Sequence, residues 1–251
     1  MLRTLLAPNP SPMTLQGTQT YIVGRNRVAI IDPGPDSTQH LDAIARAVSD
    51  GVVVSILVTH SHPDHDAGAD ALASRVRAPI RAYLNGLQDG ERVEKDAGEI
   101  TALHTPGHTT DHMSFWWSAE SVIFCGDLMM GGLDTALVAP PEGDLTAYLA
   151  SLARFEQLNP RVIYPAHGPA ITDAAQAIAR YRAHRAEREA QVISGLADRP
   201  MNEDQLTARV YGNDLEPVLQ PYARAAIDAY LAHLEKQGRV RRGRMGWERL
   251  T

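Results

Sequence analysis

The chain has 251 residues, of which 44% are hydrophobic and 22% are charged, and its formal net charge at pH 7 is −6. This length is enough for one large domain with one small appended domain. No apolar run is long enough to span a bilayer, and the single cysteine excludes an internal disulfide. Residues 1–12 lack the pattern of a signal peptide, so we expect a cytoplasmic protein without a membrane partner.

The N-terminal part of the chain combines short apolar strands with one amphipathic helix. Residues 20–23 and 28–31 predict a β-hairpin that turns at residues 24–27. Ser37 begins a predicted helix that runs to about Ser49, because apolar residues recur there at helical spacing. The apolar run at residues 52–58 then predicts a buried strand.

A cluster of histidines follows that strand, where the chain reads HSHPDH at residues 60–65. His60 and His62 are two positions apart, so in an extended chain they project to the same side. Asp64 and His65 come after the bend at the proline and can face a second point. Imidazole nitrogen and carboxylate oxygen atoms are suitable ligands for zinc and related metals. Three histidines and an acid this close together favour a metal site over a loop of solvated histidines.

Later strands end in further candidate ligands, each next to a glycine or a proline. This pattern places the candidates on loops along a single sheet edge, where they converge with residues 60–65. The candidates are His60, His62, Asp64, His65, His108, Asp127 and His167. Four ligands close a structural zinc site, whereas seven suit two metals with coordination positions left open for water.

The remaining elements indicate the fold class. Helices are predicted over residues 66–76, 145–158 and 173–193, and residues 115–117 and 123–124 predict a strand pair. Strands in succession with helices interspersed, and candidate ligands at one edge, indicate an α+β fold. We therefore expect a two-sheet sandwich flanked by helices on both faces.

The C-terminal part has the predicted order of three helices and a hairpin, which is a winged-helix layout. We therefore divide the chain into a catalytic domain of residues 1–180 and a winged-helix-like domain of residues 185–251. The hairpin carries the densest basic stretch, residues 238–244. Clustered arginines beside an aromatic residue can contact RNA phosphates and stack on a base. The alternative is a solvated hairpin that folds over the mouth of the site, and the acidic chain favours this alternative.

The order of the motifs resembles the metallo-β-lactamase superfamily of hydrolases. The resemblance covers about the first 175 residues and rests on five motifs: Asp32-Pro33-Gly34, the HSHPDH segment, Thr105-Pro106-Gly107-His108, Gly126-Asp127 and Ala166-His167-Gly168. It implies an αββα sandwich that binds two zinc ions. It further assigns the ligands: the first metal to His60, His62 and His108, the second to Asp64, His65 and His167, and the bridging position to Asp127.

Residues 139–152 and 184–189 narrow the resemblance to the group around the β-lactamase-like protein 2, and the bridging aspartate is also that of glyoxalase II. In this family pattern His104 matches no ligand. Cys125 is interpreted as a core thiol, the common fate of a lone buried cysteine. Ser61 is interpreted as structural, because it faces away from the ligands on either side of it.

The resemblance implies hydrolysis by a metal-bound hydroxide, with Asp64 and Asp127 as the catalytic carboxylates. A small-molecule ester, thioester or lactone ranks first among substrates, RNA second and a β-lactam third. An iron-dependent sulfur dioxygenase is the alternative of another class, and it would leave the second-site ligands unused. A nucleic-acid-binding protein with a structural zinc ranks last, because seven ligands exceed what a closed site needs.

Overall fold

Two five-stranded sheets form the centre of the computed structural model, which describes residues 1–93, 98–197, 199–212 and 215–250. The first sheet contains, in spatial order, β1 (Leu2–Leu6), β2 (Gln19–Gly24), β3 (Arg27–Ile31), β4 (Val52–Leu57) and β5 (Ile80–Arg81). In the second sheet, β6 (Arg92–Val93), β7 (Ile100–His104), β8 (Met113–Trp117), β9 (Val122–Gly126) and β10 (Val162–Pro165) are neighbours in the same way. Parallel pairing occurs between β3, β4 and β5 and between β9 and β10.

Side-chain alternation along the strands builds the layers. On β2, Tyr21 and Val23 lie in the core between the two sheets, whereas Ile22 lies in the core beneath the helices α1 (Thr38–Ala47) and α3 (Ala69–Val76). The outer face of the second sheet packs against α4 (Leu145–Leu158) and α5 (Ala174–Gly195). The order helix, sheet, sheet, helix confirms the predicted αββα sandwich.

The chain around the HSHPDH segment differs from the prediction. Pro63 begins a short helix, α2 (Pro63–Asp66), because its restricted φ suits the first helical turn. The helix expected over residues 66–76 begins later, at Ala69 in α3, and Asp66 ends α2 instead. At the break, the Gly68 N–H donates to the Gly34 carbonyl oxygen at 2.9 Å and so binds a neighbouring loop rather than the helix. The strands β1, β5 and β6 were not predicted.

The C-terminal part contains α6 (Glu203–Tyr211), α7 (Gln220–Lys236) and a hairpin of β11 (Val240–Gly243) and β12 (Gly246–Arg249). The helix α5 runs without interruption through residues 180–185, so the predicted division of the chain lies inside a helix. One apolar core joins α4 and α5 to α7 across this division. In the described part of the chain, no helix is both long enough and apolar enough to cross a membrane.

Candidate metal centre

Four loops meet at one edge of the sandwich. Residues 59–65 follow β4, residues 105–112 join β7 to β8, Asp127 follows β9 and His167 follows β10. Because β4, β9 and β10 all deliver their carboxyl ends to this edge, the loops that follow them converge there. All seven predicted side chains come together at this place.

The seven side chains form two groups, and within each group the donor atoms lie within 4.8 Å of one another. The members of the first group are His60, His62, His108 and Asp127, and those of the second are Asp64, His65 and His167. This grouping agrees with the ligand sets that the family resemblance implies.

Asp127 lies between the two groups. Its Oδ2 atom is 3.6 Å from His108 Nε2 in the first group. Its Oδ1 atom is 3.2 Å from His167 Nε2 and 3.4 Å from His65 Nε2 in the second group. The two oxygen atoms of one carboxylate therefore face different groups, which is the geometry that a bridging ligand requires.

The donor atoms converge on each other rather than on hydrogen-bonding partners. In the first group, His62 Nδ1 is 3.0 Å from His60 Nε2 and 3.1 Å from His108 Nε2. His65 Nε2 in the second group is buried without a hydrogen-bond partner, and so is Asp127 Oδ1, which faces that group. An unsatisfied buried polar atom costs about 1–3 kcal/mol, and a cation among these donors removes that cost. The residues present therefore fit metal binding.

Hydrogen bonds on the ring nitrogens that face away from the two groups orient the histidine rings. The His108 Nδ1–H donates to the Leu137 carbonyl oxygen at 2.9 Å, and the His167 Nδ1–H donates to the Gly17 carbonyl oxygen at 3.3 Å. A carbonyl oxygen only accepts, so in the neutral, metal-binding form of each ring the proton lies on Nδ1 and the Nε2 lone pair is directed at the groups. His65 Nδ1 is held in the same way by Asp32 Oδ2 at 3.0 Å.

His62 is oriented in the opposite sense. Its Nε2 atom lies 2.9 Å from Glu142 Oε2, so Nδ1 is the nitrogen that faces the first group. Its side chain is 32% exposed, and that of Asp64 is 27% exposed, whereas His65 and His167 are almost fully buried. The centre therefore opens to solvent on the side of His62 and Asp64.

The two groups differ in their electrostatics. Burial lowers the pKa of His60 and of His108, so these rings are neutral, as metal ligands must be. Burial opposes protonation of His167 as well, but the neighbouring carboxylates of Asp127 and Asp64 raise its pKa to about 9. Burial would raise the pKa of Asp127, but the nearby His65 and His167 hold it well below its usual range. Asp64 and Asp127 are therefore ionised, and their negative charge attracts a cation to the second group.

His112 supports the loop that carries Asp127. It was not predicted from the sequence. It is fully buried, its Nε2 atom accepts from the Asp127 backbone N–H at 3.2 Å, and its Nδ1–H donates to Thr105 Oγ1 at 3.0 Å. Gly126 leaves room for this contact because it has no side chain; a Cβ atom there would lie 2.7 Å from His112 Nε2. His112 lies four positions after His108, but this spacing alone does not distinguish a support from a ligand.

The three residues that were interpreted as non-ligands lie outside both groups. His104 stacks on Tyr83 with 4.4 Å between ring centroids, and its Nε2–H donates to the Thr110 carbonyl oxygen. Cys125 is buried in the core, and burial raises the pKa of its thiol far above its usual range. Ser61 is exposed, and its backbone N–H donates to Asp111.

Replacement of Gly107 by alanine is expected to be strongly destabilising. Gly107 has φ +145°, and a Cβ atom would lie 2.3 Å from Tyr148 Cα in α4. Overpacking and backbone strain together predict a loss of about 2–5 kcal/mol of unfolding free energy, measured by urea denaturation. Gly86→Ala is the matched control, since Gly86 also has a positive φ but no atom within 4 Å of the added Cβ. Equal losses in the two variants would contradict the predicted clash.

Asp32→Asn is expected to weaken metal binding by about 10–100-fold, the usual effect of losing an outer contact to a ligand. Asp32 is buried and accepts from the Thr59 N–H at 2.8 Å, from Thr59 Oγ1 at 2.9 Å and from His65. An amide replaces one acceptor oxygen with a donor, so one of these contacts is lost. Competition with a chromophoric chelator measures the affinity. Asp36→Asn, at an exposed position of the same loop, serves as control, and a similar loss there would refute the role of Asp32.

Comparisons with family models agree with this geometry. The model of the metallo-beta-lactamase superfamily matches residues 13–99 and 85–167, a span that contains all seven predicted ligands. The model of the beta-lactamase associated winged helix domain matches residues 203–247. The second match confirms the winged-helix prediction.

Individual proteins show the same likeness. The chain is 38% identical over 205 residues to the atrochrysone carboxyl ACP thioesterase of Aspergillus chevalieri, an alignment that covers 77% of this chain and 65% of that protein. It is 30% identical over 265 residues to the beta-lactamase-like protein 2 homolog of Drosophila melanogaster, covering 94% of this chain and 88% of that protein. The crystal structure of a beta-lactamase domain protein from Burkholderia ambifaria matches with a TM-score of 0.83 and 22% identity over 99% of this chain and 91% of that chain.

Proposed function

The chain belongs to the metallo-beta-lactamase superfamily of metallohydrolases, and we propose that it is a two-zinc hydrolase of small thioester or ester substrates. The observation that carries the proposal is the pair of ligand groups with Asp127 between them. Seven donor side chains exceed what one closed structural site needs. The likeness to a fungal thioesterase supports a thioester as the first substrate class to test.

The donor set supports zinc. Each group offers imidazole nitrogens together with a carboxylate, which are the ligands of zinc sites with an open coordination position. When bound, two zinc ions supply Lewis acidity that activates water and polarises a substrate carbonyl group. An iron-dependent oxygenase uses the same types of ligand, so metal analysis of the purified protein is part of the test.

The carboxylates of Asp64 and Asp127 have separate tasks in this proposal. Asp127 is the less exposed of the two and holds the two groups together through its two oxygen atoms. Asp64 lies on the open side of the centre, where its carboxylate orients the attacking water and accepts its proton. A substrate approaches from this same side, over His62 and Asp64.

RNA is the competing substrate, and the C-terminal hairpin gives it little support. Acidic partners neutralise most of the arginines that were considered for RNA binding. Arg239 pairs with Glu189, Arg241 pairs with Glu248, and Arg242 lies 3.3 Å from Glu203. Because these pairs compete with phosphate contacts, we rank a small-molecule substrate ahead of RNA.

The test is a substrate panel with the full-length, zinc-loaded protein. Acyl thioesters, lactones, a β-lactam and single-stranded RNA are compared, each with and without a chelator. We expect thioester hydrolysis that the chelator abolishes and added zinc restores, together with about two zinc ions per chain. Faster cleavage of RNA or of the β-lactam would overturn the substrate assignment. One iron per chain with oxygen consumption would overturn the hydrolase assignment.

A further inference from the structure

We infer that Arg185, together with the neighbouring Tyr181, is a positioning residue that holds one loop of the chain against the first ligand group. The loop is residues 128–144, here called the rim loop, which joins Asp127 to α4. The inference rests on the proposed function, because it assigns a metal-binding role to the first group. It concerns residues of α5 that touch none of the proposed ligands directly.

The rim loop orients two of the three histidines of the first group. The Leu137 carbonyl oxygen accepts the His108 Nδ1–H at 2.9 Å. Glu142 lies 2.9 Å from His62 Nε2. If the rim loop moves, both rings lose the contacts that direct their free nitrogens at the group.

The rim loop has no helix or strand of its own, so contacts with neighbouring elements determine where it lies. Several of these contacts come from α5. Tyr181 Oη accepts from the Met130 N–H at 2.8 Å and lies 3.3 Å from the Thr135 carbonyl oxygen. Arg185 donates from Nη2 to the Ala136 carbonyl oxygen. The Arg185 contact thus holds the residue directly before Leu137, which binds His108.

Besides the Ala136 carbonyl oxygen, the buried Arg185 guanidinium faces the hydroxyl groups of Tyr148 and Tyr230. The side chain is 5% exposed, and its guanidinium lies 4.8 Å from the centroid of the Tyr148 ring. In the part of the chain that the structure describes, no Asp or Glu forms an ion pair with it. A buried cation without an acidic partner lowers stability, so core packing alone does not explain an arginine here. A role in holding the Ala136 carbonyl does explain it.

The rings of the second ligand group are oriented from elsewhere. Asp32 holds the His65 ring, and the Gly17 carbonyl oxygen holds the His167 ring. The rim loop contacts this group through its Gly131 N–H, which donates to the His167 backbone carbonyl oxygen at 2.8 Å, five residues before Ala136. Release of the rim loop at Ala136 is therefore expected to affect one metal ion and to spare the other. This selectivity distinguishes positioning of the first group from a general loss of stability.

The test compares Arg185→Met with Arg188→Met in the full-length protein. Arg188 lies on the same helix, with its guanidinium 4.2 Å from the Tyr211 ring centroid, and makes its contacts with α6 rather than with the rim loop. Both variants lose a partly or fully buried guanidinium and keep an apolar side chain of similar length. Methionine in place of a buried unpaired cation is compatible with folding.

Zn²⁺ affinity is measured by competition with a chromophoric chelator, and Co²⁺ spectra report on the geometry of each site. For Arg185→Met we expect one ion to bind about 10–100-fold more weakly while the affinity of the other ion stays unchanged. Hydrogen exchange of residues 128–144 is expected to become faster in Arg185→Met alone. Arg188→Met is expected to bind both ions as the wild-type protein does.

Wild-type affinities in Arg185→Met, or an equal loss in Arg188→Met, would overturn the inference. If Arg185→Met does not fold, Tyr181→Phe decides, because it releases the rim-loop groups at Met130 and Thr135 without loss of ring volume. A selective loss at one ion in Tyr181→Phe supports the inference, and unchanged affinities overturn it. A wild-type protein that binds no zinc would contradict the proposed function itself.

Discussion

Asp127→Asn is expected to lower kcat by about 10²–10⁴-fold, the range for loss of an acid–base or electrostatic group. The substitution keeps the size of the side chain but removes the charge that faces both ligand groups. Two cations held close together repel each other, and the carboxylate between them offsets that repulsion. We therefore also expect one of the two zinc ions to be lost, which metal analysis of the dialysed protein measures.

Asp66→Asn is the control for Asp127→Asn. Asp66 lies two residues beyond Asp64, is half-buried like other residues near the centre, and belongs to neither ligand group. The Asp66→Asn variant is expected to bind as much zinc as the wild-type protein and to have the same kcat. Wild-type kinetics in Asp127→Asn would place Asp127 outside the reacting centre and would reopen the one-metal alternatives.

His108→Ala is expected to reduce the zinc content to about one ion per chain and to lower kcat at least 10²-fold. The variant removes one of three converging nitrogens of the first group and leaves the second group complete. The αββα core lies away from this loop, so circular dichroism is expected to show an intact fold. His62→Ala is expected to behave in the same way.

His104→Ala is a matched control for His108→Ala, because it removes another histidine only four positions earlier. His104 contacts Tyr83 and Thr110 rather than the ligand groups. Its zinc content and its kcat are expected to equal those of the wild-type protein. If His108→Ala also kept full activity and two zinc ions, the assignment of the first group would be wrong.

The predictions that succeeded depend on patterns that are local in the chain. Two short apolar runs on either side of a turn predicted the hairpin of β2 and β3, and helical spacing predicted α4 with its observed bounds. Each candidate ligand follows a strand, and parallel neighbouring strands bring their carboxyl ends to one edge. The seven side chains could therefore be proposed as one cluster before their distances were known.

The details around the centre could not be predicted, because they depend on contacts between distant parts of the chain. Glu142 supports His62 from 80 residues away, and the Gly17 carbonyl oxygen supports His167 from 150 residues away. Backbone carbonyl groups occur at every residue, so the sequence does not mark the ones that bind a histidine. The sequence likewise does not show that Arg239 pairs with Glu189 or that Arg242 lies beside Glu203.

The sequence by itself determined the order of most elements, the αββα class and the identity of the seven candidate ligands. These depend on hydrophobic periodicity and on polar residues placed at strand ends, which are properties of short segments. Only the tertiary structure decided which groups orient those ligands and how the C-terminal part joins the sandwich. Arg185 has no distinguishing local pattern, and its burial against Tyr148 beneath the rim loop arises only when α4, α5 and α7 pack into one core.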